Sequence, residues 1–305
     1  MLTSLRARER AVAAGFLSPW VLGFAAFTAG PMVISLVLSF TDYQVLDPGS
    51  TSWVGAGNYR RALADPTLAH SLRVTLLYAV LAVPADLVLG LVLALVVNTR
   101  APAMGLFRTA MFLPVMIAGA AGGSVAVALL WLWLFQPRFG LLNHLLSLVG
   151  LPAQLWVHSP RTVVPSLALM SLWGVGRSML IYLAALQRLP TDVLWAAQLD
   201  GAGPLRRFAR VALPLISPAL LFNLVLDLVY ALQAFTQAYV VTDGGPGDAS
   251  LFYMLYLFRN AFTYFDMGYA SALAWLLFAL TLVLTALVFR SARAWVFYEG
   301  APARR

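Results

Sequence analysis

Three ionisable side chains lie inside long apolar stretches of the sequence: Asp86, Arg177 and Asp227. A charge among apolar residues is costly, and in a membrane it indicates a functional site. Asp227 shares one helical stripe with Asn223 at i−4 and Tyr230 at i+3. A stripe of this kind offers hydrogen-bonding groups along an otherwise apolar helix. The pattern predicts a lining for a hydroxyl-rich solute.

An aromatic ring and a guanidinium share a second helix face, because Trp173 and Arg177 are four residues apart. Three interpretations stay open for Arg177 and Asp227: contact with solute, mutual neutralisation between helices, and a proton relay. Asp86 stands alone near Pro84, and we interpret it as a structural residue. The candidate solute-pathway residues are Trp173, Arg177, Asn223, Asp227, Tyr230, Gln233 and Gln237.

The sequence excludes several kinds of catalytic and metal site. It has no cysteine, so disulfides, thiolate ligands and cysteine nucleophiles are all absent. His70, His144 and His158 fall in predicted loops and lack metal-ligand spacing. Every basic residue is an arginine, so no Walker-A lysine exists and any ATP must bind to another chain. We therefore expect a transport component that holds no metal or cofactor of its own, and not an enzyme.

Composition predicts the elements that carry these residues. The 305 residues are 61% hydrophobic, and the mean hydropathy of +0.83 indicates an integral membrane protein. A bilayer core needs about 20 apolar helical residues. The first such segment is too long and lacks the small-residue cleavage site of a signal peptide, so we expect it to be retained. The expected fold is all-α, as a single transmembrane domain over residues 1–305 with six helices at about 11–40, 74–97, 109–135, 162–186, 211–241 and 267–289.

Charge distribution predicts the orientation. A pI near 10.2 would suggest nucleic-acid binding in a soluble chain. Here the arginines are spread over loops and ends, so they indicate membrane topology and no nucleic-acid partner. They favour the side of the two termini by about two to one, which predicts that both termini are cytoplasmic. The segment between helices four and five then lies on the cytoplasmic face.

That segment reads "WAAQLDGAGPLRRFARVALPLISP" at residues 195–218. It predicts a short helix over Asp192–Leu199, a break at Gly201, and a cap for the next turn from Asp200. Pro204 suits a first helical turn, which has no intrahelical partner for its N–H. Two interpretations remain from the residues alone. The segment is either an ordinary basic connecting loop or a stiff surface presented to a partner.

Residues 189–220, "LPTDVLWAAQLDGAGPLRRFARVALPLISPAL", resemble the cytoplasmic EAA loop of ABC-importer permeases. The resemblance is strongest to the carbohydrate-uptake branch, which includes the maltose and glycerol-3-phosphate permeases. "WVGAGNYRRAL" at 53–63, "VVTDGGPGDAS" at 240–250 and "FTYFDMGYASALAWLLF" at 262–278 agree with that branch. The matching loop positions are Pro190, Ala196, Ala197, Asp200, Gly201, Ala202, Phe208, Pro214 and Pro218.

This resemblance implies a cytoplasmic coupling helix between helices four and five, in what we call the coupling loop (residues 189–220). In the family this loop docks into a groove on a separate ATP-hydrolysing subunit. The leading glutamate of the motif is replaced by Trp195. Two interpretations stay open: the indole packs where a carboxylate normally bonds, or the partner permease carries the intact motif and this chain is the more divergent of the two. The implied ATPase-coupling residues are Trp195, Ala196, Ala197, Asp200, Gly201, Ala202, Phe208 and Pro214.

The resemblance also implies partners and a location. We expect a multi-pass protein of the bacterial or archaeal cell membrane, with a second homologous permease subunit that is either another chain or a copy. Two ATP-binding subunits would carry ATP and Mg²⁺. The outer loop "TDGGPGDAS" is either a contact for an extracytoplasmic solute-binding protein or a simple connector.

The nature of the solute stays open between two classes. A phosphate favours more than one cation, and Arg177 is the only cation inside the predicted helices, so we expect a sugar. Glycerol-3-phosphate or a glycerophosphodiester is the alternative solute. A secondary transporter is a third interpretation, although the internal repeats of that class are not evident.

Overall fold

A computed structural model describes residues 2–99, 101–119 and 123–298. Over these residues the chain forms helices and two isolated β-bridges, with no named strand. The predicted all-α class is therefore confirmed. The α-helices are α1 Leu2–Phe24, α2 Gly30–Leu38, α3 Gly57–Ala64, α4 Pro66–Val97, α5 Met104–Gly119, α6 Gly123–Leu134, α7 Leu141–Leu148, α8 Val163–Ser171, α9 Gly176–Gln187, α10 Thr191–Leu199, α11 Pro204–Arg207, α12 Leu213–Leu215, α13 Ser217–Leu232, α14 Tyr253–Phe258 and α15 Met267–Trp295.

Three of the described helical stretches are long and apolar enough to cross a bilayer: Val12–Leu38, Pro66–Val97 and Met267–Trp295. Three more candidate spans are pairs of shorter helices with a bend between them. They are Met104–Gly119 with Ser124–Leu134, Val163–Gly174 with Gly176–Gln187, and Pro204–Leu215 with Ser217–Leu232. If each bent pair is one span, the described residues contain up to six.

Several helix boundaries differ from the predicted ones for identifiable reasons. The second predicted span, at 74–97, belongs to α4, which already begins at Pro66, because proline is well suited to the first turn of a helix. The segment predicted over 211–241 is not one helix: it breaks at Ile216, and α13 ends at Leu232. The bend at this break is 66°. Pro218 lacks the N–H that an uninterrupted helix would use there.

The chain divides into two compact units. One comprises the chain up to Asp65 together with Leu257–Phe278. In it, Asn58 Nδ2 donates to the carbonyls of Ser39 and Thr41 at 3.0 and 2.7 Å. These bonds hold the turn after α2 against α3. Arg61 Nη1 lies 2.6 Å from Asp266 Oδ2 in the same unit.

A polar turn follows α2 in this unit. Asp42 accepts the Ser52 N–H at 2.5 Å and the Ser52 hydroxyl at 2.7 Å. These two bonds favour the ionised carboxyl, so they hold the pKa of Asp42 below its usual value. The turn lies outside the membrane-spanning stretches. The two hydrogen bonds to the Asp42 carboxylate hold it in place.

The other unit comprises Pro66–Tyr256 with the chain from Ala279. Its centre is the pairing of α4 with α9, where a Cβ on Gly90 would lie only 2.9 Å from Ser178 Cβ. Glycine is needed there because the two helices approach so closely. Tyr182, Met179 and Ile216 are almost fully buried in the cluster that joins α9 to the start of α13. This packing places α4, α9 and α13 side by side.

Candidate solute cavity and coupling loop

A cavity of about 250 Å³ lies among α4, α6, α8, α9 and α13 in the second unit, and we call it the central cavity. Apolar residues such as Ala82, Val127 and Met170 form much of its wall. Its charged and amide-bearing lining residues are Asp86, Arg177, Asp227 and Gln237. An apolar cavity with a few convergent polar groups is the usual form of a small-molecule site.

An ion pair crosses the central cavity. Arg177 Nη2 on α9 donates to Asp227 Oδ1 on α13 at 2.5 Å. The Asp227 side chain is only 6% exposed, whereas that of Arg177 is 32% exposed. Arg177 also lies over the Tyr230 ring, with Cζ 4.5 Å from the ring centroid. The guanidinium is therefore neutralised and held in place by groups on α13.

Asp86 faces the same cavity from α4. Its carboxylate accepts a hydrogen bond from the Ser178 hydroxyl on α9. This bond is possible because Gly90, one turn further along α4, lets α9 approach closely. The sequence interpretation of Asp86 as a structural residue named neither this bond to α9 nor the cavity that Asp86 lines.

Several buried polar atoms around the cavity have no hydrogen-bond partner in the described part of the chain. They include Trp173 Nε1, Asp227 Oδ2 and Asn223 Oδ1. Trp173 and Asp227 line the cavity with other atoms of their side chains, while this donor and this acceptor are themselves buried in its wall. Buried polar atoms are normally satisfied, and unsatisfied ones at a cavity wall indicate a missing partner.

The structure brings five of the seven predicted pathway residues into one lining: Trp173, Arg177, Asp227, Tyr230 and Gln237. Asn223 is fully buried one turn before Asp227 and donates to the Ser178 carbonyl at 3.4 Å.

Gln233 is placed elsewhere. It caps the C-terminus of α13, is exposed, and lies outside the lining. The helix ends one residue earlier, at Leu232, so Gln233 does not continue the helical stripe of Asn223, Asp227 and Tyr230.

Tyr78 was missed by the sequence reasoning. Its hydroxyl accepts a bond from Gln237 Nε2 at 3.0 Å, and it lines the cavity from α4. A single tyrosine in an apolar helix carries little signal, because tyrosine is also common in apolar packing. For Asp86 the signal existed, since an intramembrane carboxylate is rare.

The coupling loop is a pair of short helices with a defined break. α10 ends in a Schellman motif, in which Ala202 N–H donates to the Ala197 carbonyl and Gly201 N–H to the Gln198 carbonyl, both at 3.0 Å. Gly201 has φ +78°, the left-handed conformation that this motif requires. Pro204 then occupies the first turn of α11.

One detail of the loop prediction is wrong. The residue at the N-cap of α11 is Gly203, and no side chain caps this helix, so Asp200 does not play the expected role. Asp200 instead forms the C-cap of α10. The two helices are connected by Arg207 Nη1, which donates to Gln198 Oε1 at 2.5 Å.

The coupling loop exposes apolar side chains. Trp195, Leu199 and Leu205 are 67%, 89% and 80% exposed. In a loop that also contains polar and basic positions, such exposure indicates a contact surface, because exposed apolar clusters mark interaction sites. Of the other predicted coupling residues, Ala196 and Ala197 lie in α10, Phe208 directly follows α11, and Pro214 lies in α12.

The loop joins the two helices that carry the ion pair. Arg177 is on α9, which runs into α10 through Arg188–Pro190, and Asp227 is on α13, which follows α12 after the bend at Ile216. Ser217 fixes this bend: its hydroxyl donates to the Pro214 carbonyl at 2.5 Å and accepts the Phe297 N–H at 2.8 Å.

Comparison with known proteins agrees with this architecture. Residues 86–296 match the family described as "Binding-protein-dependent transport system inner membrane component". A probable ABC transporter permease protein, YesP of Bacillus subtilis, is 40% identical over 93% of this chain and 91% of its own length. The sn-glycerol-3-phosphate transport system permease protein UgpA of Yersinia pestis is 34% identical over 84% of this chain and 86% of its own.

A solved structure shares the fold. The bacterial alginate ABC transporter, crystallised with an alginate pentasaccharide-bound periplasmic protein, contains a chain that superimposes with a TM-score of 0.80. The match covers 94% of this chain and 95% of that one at 20% identity.

The predicted resemblance to importer permeases of the carbohydrate-uptake branch is confirmed by these relatives. The protein is a multi-pass permease of the plasma membrane, a transport component and not an enzyme. The chain belongs to the family of binding-protein-dependent transport system inner membrane components.

Proposed function

We propose that this chain forms half of the transmembrane pathway for a neutral sugar and couples its passage to ATP hydrolysis on a separate subunit. The observation that carries the proposal is the connectivity of the coupling loop. The loop joins α9 to α13, and those helices hold Arg177 and Asp227, which form an ion pair in the lining of the central cavity. A push on the loop therefore acts on both partners of this pair at once.

The proposed mechanism starts at the loop surface. When α10 docks into a groove of the ATPase, a movement of the ATPase displaces α10 and α11 as one stiff element. The Schellman motif fixes the turn after α10, and the Arg207–Gln198 bond joins α10 to α11. The bend at Ile216 then converts this displacement into a movement of α13 relative to α9. Separation of the Arg177–Asp227 pair is the step that opens or closes the cavity. Interfaces that switch between two packed arrangements transmit motion in this way.

Trp195 supports docking by apolar contact. It takes the place of the glutamate of the family motif and is 67% exposed, on a helix that also exposes Leu199. An indole on a short rigid helix is suited to a hydrophobic pocket, because aromatic anchors carry much of the energy of protein interfaces. We infer that the ATPase groove opposite Trp195 is apolar.

The charges of the central cavity support a neutral solute. Its single cation among the described lining residues, Arg177, is already bonded to Asp227, and Asp86 adds a second carboxylate. An anionic solute such as glycerol-3-phosphate, named for the relative UgpA, would need uncompensated cations. The Trp173 indole lines the same cavity with its N–H unpaired, and aromatic faces with nearby donors suit a sugar ring.

We further propose a complex of the usual importer composition: a second permease subunit, two ATP-binding subunits with ATP and Mg²⁺, and an extracytoplasmic solute-binding protein. The periplasmic protein named with the alginate transporter supports the last of these partners. Residues 240–250 offer it a compact outer loop, in which the Ser250 hydroxyl donates to the Gly245 carbonyl at 2.6 Å.

The test is to purify the chain with its associated subunits, reconstitute the complex and measure ATP hydrolysis. Binding protein loaded from a panel of neutral sugars, sugar acids and glycerol phosphates is added in turn. We expect stimulation with one neutral sugar and uptake of that sugar into vesicles. Stimulation by glycerol-3-phosphate alone would refute the neutral solute, and the absence of any co-purifying ATPase would refute the coupling role.

A further inference from the structure

A second cavity of about 460 Å³ lies where α9 meets the bend before α13, and we call it the interface groove. It is separate from the central cavity and shares no lining residue with it. One wall comes from the last turns of α9, including Ala184, and the other from the bend, including Ile216 and Ala219. Arg188 lies at its end, directly after α9.

The interface groove has an apolar wall and a single charged residue. Nine of its ten described lining residues are apolar, and Arg188 is the single charged one. Arg188 is exposed, and its guanidinium has no hydrogen bond or ion pair in the described part of the chain. A groove with an apolar wall and one available cation at its mouth is complementary to an amphiphile with an anionic head.

The position of the groove relative to the membrane identifies the amphiphile. Arg188 directly follows α9, two positions beyond the predicted span at 162–186 that contains Arg177, so Arg188 lies near the membrane surface. The coupling loop begins immediately afterwards. At the depth of Arg188, the acyl chains of the lipids lie on one side and their phosphate head groups on the other. Basic pockets between transmembrane helices on the cytoplasmic side are known to select anionic lipids.

We propose that the interface groove is a binding site for an anionic phospholipid. The phosphate bonds to Arg188, and one acyl chain packs against Ala184, Pro218 and Ala219. The orientation rests on the proposed function, because the coupling loop must face the cytoplasm. The site itself depends only on the groove and its arginine.

Occupancy has a structural consequence. Ile216 is the residue at which the 66° bend occurs, and it is almost fully buried against α9. A lipid chain in the groove adds apolar contact at Pro218 and Ala219, directly after the bend. The bound lipid would thus brace the connection between the coupling loop and α13.

Native mass spectrometry of the intact complex tests the proposal. The complex is purified in detergent and exposed to vesicles of phosphatidylglycerol or of phosphatidylcholine, and the retained lipids are counted. We expect selective retention of phosphatidylglycerol, weakened about fivefold by Arg188→Gln, as one arginine at a membrane surface contributes. Arg188→Lys should retain the lipid. Arg138→Gln, an exposed arginine outside the groove, is the matched control and should change nothing.

Ala184→Phe tests the acyl half of the site, because it fills the groove while leaving Arg188 in place. We expect it to reduce retention even though the charge remains. Equal retention of both lipids, or no effect of Arg188→Gln, would overturn the proposal. Release of the lipid by soluble glycerol phosphate would also overturn it, since the site would then recognise a free phosphate.

A protein occupant is distinguished with a cysteine probe. The chain has no cysteine, so Ala184→Cys introduces a single reactive thiol. Cross-linking of this thiol to another subunit would show that a protein covers the groove, and the lipid site would be wrong. Persistence of coupled ATP hydrolysis in Arg188→Gln would leave the proposed transport function intact, so the two hypotheses fail separately.

Discussion

Arg177 and Asp227 are 50 positions apart in the chain, yet their side chains meet at 2.5 Å across the central cavity. The coupling loop lies between them in the sequence, and it joins the ends of the two helices that carry them. A loop that moves relative to the membrane must therefore act on α9 and α13 together. In the proposed mechanism, the ion pair is the point at which such a movement reaches the cavity.

Replacing either partner of this ion pair should lower the stability of the protein, but by different amounts. Arg177→Ala leaves a carboxylate that is 6% exposed without its cation, at a cost of about 3–5 kcal/mol. Asp227→Asn leaves a guanidinium that is partly solvated and still lies over Tyr230, so the loss should be smaller. Thermal unfolding of the detergent-solubilised protein measures both.

The double variant Arg177→Met/Asp227→Leu is the control for charge burial. Replacing both partners by apolar residues should restore much of the stability but not the uptake of solute. If uptake survives in the double variant, the pair is structural only and does not take part in the pathway.

Gly201 should be intolerant of any side chain. Its φ of +78° is a left-handed conformation that costs other residues about 1–2 kcal/mol. Gly201→Ala should therefore loosen the Schellman motif, and Gly201→Asp should in addition place a carboxylate on this exposed turn, with loss of ATPase association in a permease that still inserts. Gly203→Ala is the matched control, because Gly203 has φ −63° and no other atom lies within 4 Å of where its new methyl group would sit. Unchanged coupling in Gly201→Asp would contradict the coupling role.

Trp195 should anchor the ATPase by apolar contact. Trp195→Ala should weaken association of the subunits by about 2 kcal/mol or more, as loss of a buried aromatic anchor does. Trp195→Phe should retain most of the affinity. Trp195→Glu, which restores the residue of the family motif, should weaken binding to the native ATPase. Subunit association measured by titration in detergent checks this, and tighter binding of Trp195→Glu would show that the groove is polar.

The parts of this architecture that could be predicted from sequence are those governed by local rules. Apolar length predicted the spans, and the Asp200-Gly201 step predicted the end of α10. Rare charges in apolar helices located Arg177 and Asp227. Pro214 and Pro218 indicate a kinked entry to this helix, but the position of the bend at Ile216 and the place of Gln233 do not follow from hydropathy, which does not record where a helix breaks. Asp86 was recognised as unusual, but its place in the cavity depends on the close approach at Gly90, which is a tertiary contact.

The bend before α13 should depend on the Ser217 hydroxyl. This hydroxyl donates to the Pro214 carbonyl and accepts the Phe297 N–H, so it links the coupling loop to the chain after α15 within one unit. Ser217→Ala removes both bonds, at about 1 kcal/mol for each. Hydrogen exchange at the Phe297 amide should become faster as a result. Ser217→Thr keeps the hydroxyl and should keep the protection, whereas equal exchange in the alanine variant would mean that the bond does not hold the bend. Since Ser217 is only 3% exposed, a solvent water cannot readily replace the lost hydroxyl, and the effect on coupling should follow the effect on exchange.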